Sequence, residues 1–232
     1  IDLSIIIPAY NEYECLKKIL PELNETLKKL NISFEILIID SKEFFQKTET
    51  LCLAYNAIYV NRLIDDSYGS AIRTGISNSK GNHTIIMDSD GSHTPDFITV
   101  LWNNLKDNDI VIASRYVEGG STDNNFIQVF LSKIVNIIFS ISLGIKISDV
   151  SNSFRLYKGD LLKPIELECK HFDIQEEILV KLVWNNSAKI KEIPYSFERR
   201  AYGKSKRSLL VFIMHYFLSL VKFFLIKTKN RF

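Results

Sequence analysis

The chain has 232 residues, of which 46% are hydrophobic and 24% charged, enough apolar content to bury one large core or two small ones. Disorder and collagen are excluded, nine Gly and five Pro leave no long linker, and the three scattered Cys (Cys15, Cys52, Cys169) form neither a disulfide scaffold nor a CxxC site. Those thiols read as small buried hydrophobes in a cytosolic setting. The net charge of +2 hides an asymmetry: residues 199–232 carry nine basic and no acidic residues, whereas residues 1–198 hold 20 basic against 27 acidic.

The first apolar run, 3–7 (LSIII), follows the N-terminal Ile1-Asp2 with no signal-peptide pattern ahead of it. A helix is predicted over 12–30, because Leu16, Leu20, Leu23, Leu27 and Leu30 recur on one stripe. A strand at 34–39 (FEILII), a strand at 57–60 (AIYV), a helix at 69–79 and a strand at 84–87 (TIIM) follow. Thr94 as N-cap and Pro95 in the first turn predict a helix over 95–106, and 109–113 (DIVIA) is the next strand. All these strands except 57–60 are rich in Ile and Val without polar alternation, as strands covered on both faces are. Beyond residue 115 the pattern gives a helix at about 125–143, a short strand at 153–157, a helix at 173–184 and a strand at 189–195. Apolar strands alternating with amphipathic helices predict an α/β fold with a mostly parallel sheet. The expected organisation is a domain over 1–207 with a basic helical tail over 208–232.

The tail mixes cations with lipid-like segments such as Leu209–Met214 and Phe223–Ile226. Its 18-residue apolar stretch, 209–226, is interrupted by His215, Ser219 and Lys222 and falls short of the roughly 20 residues a membrane span needs. Two readings follow: a helix lying in the interface of an anionic membrane, or a helix packed on the domain itself. A nucleic-acid partner is not expected, since no reader motif accompanies the basic residues.

Open parallel sheets bind ligands beyond the carboxyl ends of their strands. There the sequence places Pro8-Ala9-Tyr10-Asn11-Glu12 after the first strand, Asp40 after the second, Asp88-Ser89-Asp90 after 84–87 and Ser114-Arg115-Tyr116 after 109–113. Asp88 and Asp90, at a strand's end, can turn toward one ion. Hard oxygen donors favour Mg²⁺ or Mn²⁺, and Mg²⁺ held by one or two carboxylates implies a phosphate-bearing substrate. The competing reading of these aspartates is a solvated turn before the Thr94 cap.

Seven segments in order, IIIPAYNE (5–12), EILIID (35–40), GSAIRTG (69–75), MDSDGSHTP (87–95), ASRYVEGG (113–120), DVSNSFRLY (149–157) and RAYGKSK (200–206), resemble the family 2 glycosyltransferases of GT-A fold. Within them the likeness is to the dolichol-phosphate mannose synthase and polyprenyl-phosphate glycosyltransferase group, over nearly the whole chain. The resemblance implies an inverting, metal-dependent transfer of a sugar from a nucleotide-sugar donor (GDP-mannose or a UDP-sugar) to a polyprenyl or dolichyl phosphate. It also implies a location on the cytoplasmic face of a membrane, peripheral or through the C-terminal helix. It assigns Pro8, Tyr10, Glu12 and Asp40 to the donor's base and ribose, Asp88 to ribose and metal, and Asp90 to the metal. Arg115 falls to the acceptor phosphate, and Arg200 and Lys206 to a mobile loop, hinged at Gly203, that closes over the diphosphate. Asp149 is either a base or a strand-ordering residue. Glu177 falls near a family acidic position, one residue out of step with Glu192-Ile193-Pro194.

The chain departs from the family's pattern in several places. Asp40-Ser41-Lys42-Glu43 replaces paired aspartates with Gly-Ser, Ser67 takes a Gly position, Ser92 stands where a metal-assisting Gln is common, and Asn152-Ser153 replaces Ser-Gly. A family Arg in 126–134 has only Lys133 as a neighbour. Two other readings stay open beside the leading one: a glycan or protein hydroxyl as acceptor, or a catalytically weak partner subunit of the same fold.

Overall fold

The computed structural model describes residues 1–124, 126–197 and 218–224. In chain order the elements are β1 (Leu3–Pro8), α1 (Tyr13–Lys29), β2 (Phe34–Asp40), α2 (Gln46–Ala54), β3 (Ile58–Asn61), α3 (Tyr68–Asn78), β4 (His83–Ile86) and α4 (Phe97–Asn103). They continue as β5 (Ile110–Ser114), β6 (Ser121–Thr122), α5 (Phe126–Leu143), β7 (Arg155–Lys158), α6 (Gly159–Leu162), α7 (Ile174–Asn186), β8 (Ile190–Pro194) and β9 (Ser196–Phe197). The main sheet has seven strands in the order β3-β2-β1-β4-β7-β5-β8, and β6 pairs with β9 in a small second sheet.

Every pairing in the main sheet is parallel except those of β7, which runs antiparallel to β4 and β5. Two antiparallel steps return β5 to the direction of β4, so β1, β2, β4 and β5 end at one edge. The start of β7 reaches that edge too, which is what lets residues 149–154 join it.

Side chains alternate across the sheet, and each face has its own core. Ile5, Ile7, Ile36, Ile38, Ile85 and Val111 pack with Leu16, Leu20, Leu23 and Leu27 of α1. Ile6, Leu37, Ile39, Ile86 and Ile112 pack on the other face with α3 and α7. Each of the four α1 leucines is fully buried, a transfer of about 1.5–3 kcal/mol per side chain, so the predicted stripe is what holds α1. β3, the strand without the doubly apolar pattern, is the exposed edge.

Several details differ from the sequence reading, among them the unpredicted single turn α6 (Gly159–Leu162). α2 was not predicted: its apolar residues follow no helical stripe, and only Thr48 and Cys52 are buried. α4 starts at Phe97, not Pro95, and Thr94 does not cap it with its side chain; the Thr94 N–H donates to the Tyr195 hydroxyl (3.0 Å) while short turns lead into the helix. The small β6–β9 sheet was missed because two-residue strands carry no periodicity.

Of the tail, the described segment 218–224 is helical. Phe223 is buried in the α7 face of the core with Leu220 against it, Ser219 Oγ donates to Asp173 (2.7 Å), and Lys222 pairs with Glu168 (2.9 Å). Leu218, Val221 and Phe224 remain exposed. No helix among the described residues is long and apolar enough to cross a membrane.

Candidate active site

The turn after β1 seats the first group. Pro8 is buried at the strand's end, and the Ala9 N–H donates to Ile39 (2.9 Å), so the turn stays tied to β2. Asn11 takes a left-handed conformation (φ 61), which Asn tolerates, and the chain reverses into α1. Tyr10 is exposed, with the Arg62 guanidinium 5.5 Å from its ring centroid. Glu12 stands at the head of α1 and accepts from the Cys15 thiol (3.2 Å). Burial pushes that thiol up to about 12, and Glu12 and Asp90 add to the rise.

Asp40 at the end of β2 is buried and accepts the Ser41 N–H (2.8 Å); burial raises its carboxyl above the usual range. The unusual Ser41-Lys42-Glu43 segment is closed by Ser41 Oγ on the Glu43 carbonyl (3.0 Å) and by Asn61, whose amide donates to the Ser41 and Glu43 carbonyls (2.6 and 3.0 Å). Arg62, which the sequence reading passed over, links the two turns. Its guanidinium donates to the carbonyls of Ala9, Asp66 and Ser67, and its backbone N–H to that of Asp40. An arginine directly after a short strand was the available signal.

Beyond β4, the predicted carboxylate pair sits in a tightly specified turn. Gly91 is left-handed (φ 82), where a side chain would be strained. Asp90 is buried, and its Oδ1 accepts both the N–H (3.1 Å) and the hydroxyl (2.5 Å) of Ser92. Ser92 therefore orients a carboxylate where the family's Gln would assist the metal. Asp88 is half-buried; its Oδ1 lies 3.3 Å from the Tyr68 hydroxyl, and its Oδ2 accepts from Ser153 (3.1 Å). The Asp88 N–H donates to Nδ1 of His93 (2.9 Å), a buried ring stacked on Phe154 at 4.6 Å. Because Nδ1 accepts that N–H, the ring's proton is placed on Nε2, and burial lowers the His93 pKa. His93 lay within a quoted motif, but its role was not read.

This donor set fits a hard divalent cation. The one nearby histidine nitrogen facing Asp88 is occupied by a backbone N–H, which leaves oxygen donors. Among the described residues no three His, Cys, Asp or Glu side chains gather around one point. Two carboxylates completed by substrate phosphates or water are the usual Mg²⁺ arrangement.

At the end of β5, Arg115 forks onto buried Asp149 through Nε (2.8 Å) and Nη2 (2.7 Å), and Nη2 also donates to Ser151 (2.8 Å). Burial alone would raise the Asp149 carboxyl, but Arg115 outweighs it and holds the group below the usual range. Asp149 also accepts the N–H groups of Arg115 and Asn152. It is an ordering residue, and the base reading is set aside. The fork that the sequence reading assigned to an acceptor phosphate is engaged by this carboxylate. Arg115 lies 5.0 Å from the Tyr116 ring centroid, and Lys133 of α5 lies 5.7 Å from the same ring.

The replacement Asn152-Ser153 is fully used: Asn152 donates to the Ala113 carbonyl (2.5 Å), and Ser153 reaches Asp88. Glu177 turns away from this edge, accepting the N–H groups of Glu168 and Cys169 and pairing with Lys181 (2.9 Å). Arg200 and Lys206 lie outside the described residues. The edge thus gathers Pro8, Tyr10, Glu12, Asp40, Asp88, Asp90 and Arg115.

Residues 4–165 match the profile described as Glycosyl transferase family 2. A dolichol-phosphate mannosyltransferase of Pyrococcus furiosus is 32% identical over 211 residues, covering 88% of this chain and 58% of that protein. A polyprenol monophosphomannose synthase of Mycolicibacterium smegmatis is 29% identical over 217 residues, covering 88% of this chain and 80% of that protein. The chain thus spans little more than half of the first relative's length. Among solved structures, glucosyl-3-phosphoglycerate synthase from Mycobacterium tuberculosis in complex with Mn²⁺, UDP and phosphoglyceric acid superposes with a TM-score of 0.74 at 15% identity, covering 96% of this chain and 78% of that one. The same enzyme with Mg²⁺ and UDP gives 0.69, covering 94% and 79%. At that identity the likeness concerns the fold, which is GT-A.

Proposed function

Because the chain belongs to glycosyltransferase family 2, we propose that it transfers a sugar from a nucleotide diphosphate, GDP-mannose or a UDP-sugar, to a polyprenyl or dolichyl phosphate at a membrane surface. The observation that carries the acceptor is α5. Phe126, Ile127, Phe130, Ile134, Ile137, Ile138 and Ile141 leave an apolar stripe exposed along it, with Phe126 at 83% and Ile141 at 76%. The helix contains no acidic residue, and Lys133 from it faces the Tyr116 ring, as Arg115 does. An isoprenoid chain against the stripe would bring its phosphate to those cations. Exposed apolar area of this extent, in a chain whose residues 199–232 carry nine basic and no acidic residues, suits an anionic lipid surface. The two relatives, a dolichol-phosphate mannosyltransferase and a polyprenol monophosphomannose synthase, support a lipid-phosphate acceptor, and UDP with Mn²⁺ or Mg²⁺ in the solved structures supports a nucleotide donor and a divalent ion.

Transfer builds positive charge at the anomeric carbon and negative charge on the departing diphosphate. A divalent ion held by Asp88 and Asp90 would supply Lewis-acid stabilisation of that leaving group. Arg200 and Lys206 are the proposed loop cations that add to it. Tyr10 offers a ring face to the base, and Asp40, Glu12 and Pro8 shape the base and ribose pocket. A lipid monophosphate is already anionic near neutral pH, so it needs positioning more than a base. Arg115, held in one orientation by Asp149, supplies charge for that positioning with Lys133. In-line attack from the opposite side of the sugar gives inversion.

The test uses the full chain with a panel of UDP- and GDP-sugars, a short polyprenyl phosphate and Mn²⁺ or EDTA, reading lipid-linked sugar by mass spectrometry. The expected result is a metal-dependent product of inverted anomeric configuration, lost in Asp90→Ala. A product that survives EDTA and Asp90→Ala, or that retains configuration, would refute the mechanism.

A further inference from the structure

Tyr68 opens α3, far in sequence from Asp88, and nothing in the motif reading pointed to it. Its ring is stacked on Phe172, with centroids 4.0 Å apart and planes 24° apart. The neighbouring backbone fixes this placement: the Gly69 N–H donates to the Lys170 carbonyl (2.8 Å), Arg73 donates to the Cys169 carbonyl (2.7 Å), and a Cβ on Gly69 would overlap the Cys169 carbonyl oxygen. The start of α3 is therefore seated against the segment that leads into α7.

On that seat the Tyr68 hydroxyl lies between two side chains. Gln175 Nε2 is 3.1 Å from it and Asp88 Oδ1 is 3.3 Å from it. An amide nitrogen only donates and a carboxylate only accepts, so the one hydroxyl proton is directed at Asp88. The orientation of the Gln175 amide is consistent with its far side. Its Oε1 faces the Tyr157 hydroxyl at 3.5 Å, which in turn faces Arg155 Nη1 at 3.5 Å, and the same guanidinium donates to the Gln175 carbonyl (2.9 Å). Arg155, Tyr157 and Gln175 are all buried. The contact to Asp88 is long for an O–H···O bond, so its effect is one of orientation more than of strength.

We propose that Tyr68 is a positioning residue for Asp88, its hydroxyl aimed by Gln175; the inference rests on the reading of Asp88 and Asp90 as the pair that holds the divalent ion. Each oxygen of Asp88 meets a hydroxyl from a different element, Tyr68 at the head of α3 and Ser153 just before β7. Two such contacts fix the carboxylate plane relative to the sheet edge. With one removed, the group can rotate away from the orientation a metal requires, and losses of about 10–100-fold in metal affinity are typical when an orienting partner of a ligand is removed.

The test measures Mn²⁺ binding to the full chain in the presence of UDP or GDP, reading free Mn²⁺ by electron paramagnetic resonance. Tyr68→Phe keeps the ring stacked on Phe172 and removes only the hydroxyl. It is expected to weaken Mn²⁺ binding about tenfold, with nucleotide affinity in EDTA unchanged. Gln175→Leu is expected to weaken it less, and the double variant to be no worse than Tyr68→Phe, since Gln175 acts through the hydroxyl. Unchanged Mn²⁺ affinity in Tyr68→Phe, or a fully additive double variant, overturns the proposal. Asp90→Ala separates the two levels: if it abolishes Mn²⁺ binding while Tyr68→Phe does nothing, the carboxylate pair stands and the positioning role falls. If Asp90→Ala leaves Mn²⁺ binding intact, the pair itself is wrong and the positioning role falls with it.

Discussion

The Arg115–Asp149 pair shows how a residue's place at a strand end can be read from sequence while the partner of its side chain is not. Asp149 is fully buried and spends its carboxylate on Arg115, Ser151 and Asn152. Asp149→Asn should cost about 3–5 kcal/mol, because it leaves a guanidinium without its charge partner; urea unfolding near neutral pH measures it. The pH dependence has a definite sign. Since the folded carboxyl titrates below its ordinary value, its stabilisation is present above that value and is lost as pH falls through the folded pKa. The gap between wild type and variant should narrow in acid below about pH 4; a gap that widened there would contradict the pairing. The cysteines were legible as core residues, and all three are unpaired and buried. With Cys15 and Cys52 pushed up to about 12, the native protein should resist thiol reagents until it is unfolded. Tyr68, Gln175 and the stacking of His93 on Phe154 were not legible, because each acts across elements whose contact only the fold creates, while Arg62 offered only its place directly after a strand. Asp88, Asp90 and Asp40, by contrast, could be placed at the sheet edge from their position directly after apolar strands.

Helices and strands with a strong apolar period were read to within a few residues, α1 and β2 among them, because burial on one stripe or on both faces leaves a plain pattern. α2 and the β6–β9 sheet lack that pattern, and α4's start was misplaced because the chain leaves Thr94 through i→i+3 turns before the helix begins at Phe97. The departure at Ser67 has a local explanation. Its φ of −71 needs no glycine, and its side chain accepts the Ser70 N–H (3.1 Å) as the N-cap of α3. Ser67→Gly should therefore cost only a few tenths of a kcal/mol and Ser67→Ala about 1 kcal/mol, with Ala giving the larger loss of Tm. If Gly proved the more damaging, the cap would not be what Ser67 contributes. Next to it, Gly69→Ala meets backbone, not a movable side chain, and is expected to destabilise strongly and to displace Tyr68 from Phe172.

At the scale of the molecule, the proposed function divides the labour among the parallel strands, the antiparallel β7 and the α5 stripe: a sheet edge for the donor, cations at Arg115 and Lys133 for the acceptor phosphate, and an apolar helix surface for its chain. The α/β architecture, and the meeting of the strand-end residues at one sheet edge, were legible from strand order and strand ends. The α5 surface was not, since periodicity shows that a helix is apolar but not which residues the rest of the fold leaves uncovered. Ile137 and Ile141 are one turn apart and exposed, so replacing both with Asp should lower binding to anionic vesicles by about tenfold or more, given about 1.5–3 kcal/mol per buried side chain. Flotation with anionic and with neutral vesicles measures this, and equal binding of variant and wild type would remove α5 from the lipid surface. The central claim concerns the acceptor, and one comparison addresses it most directly: the full chain, its nucleotide-sugar donor and Mn²⁺, offered the same isoprenoid once as the phosphate and once as the free alcohol. The account predicts lipid-linked sugar from the phosphate alone. Product from the alcohol at a similar rate would show that a hydroxyl is the nucleophile, and the roles given to Arg115 and Lys133 would be contradicted.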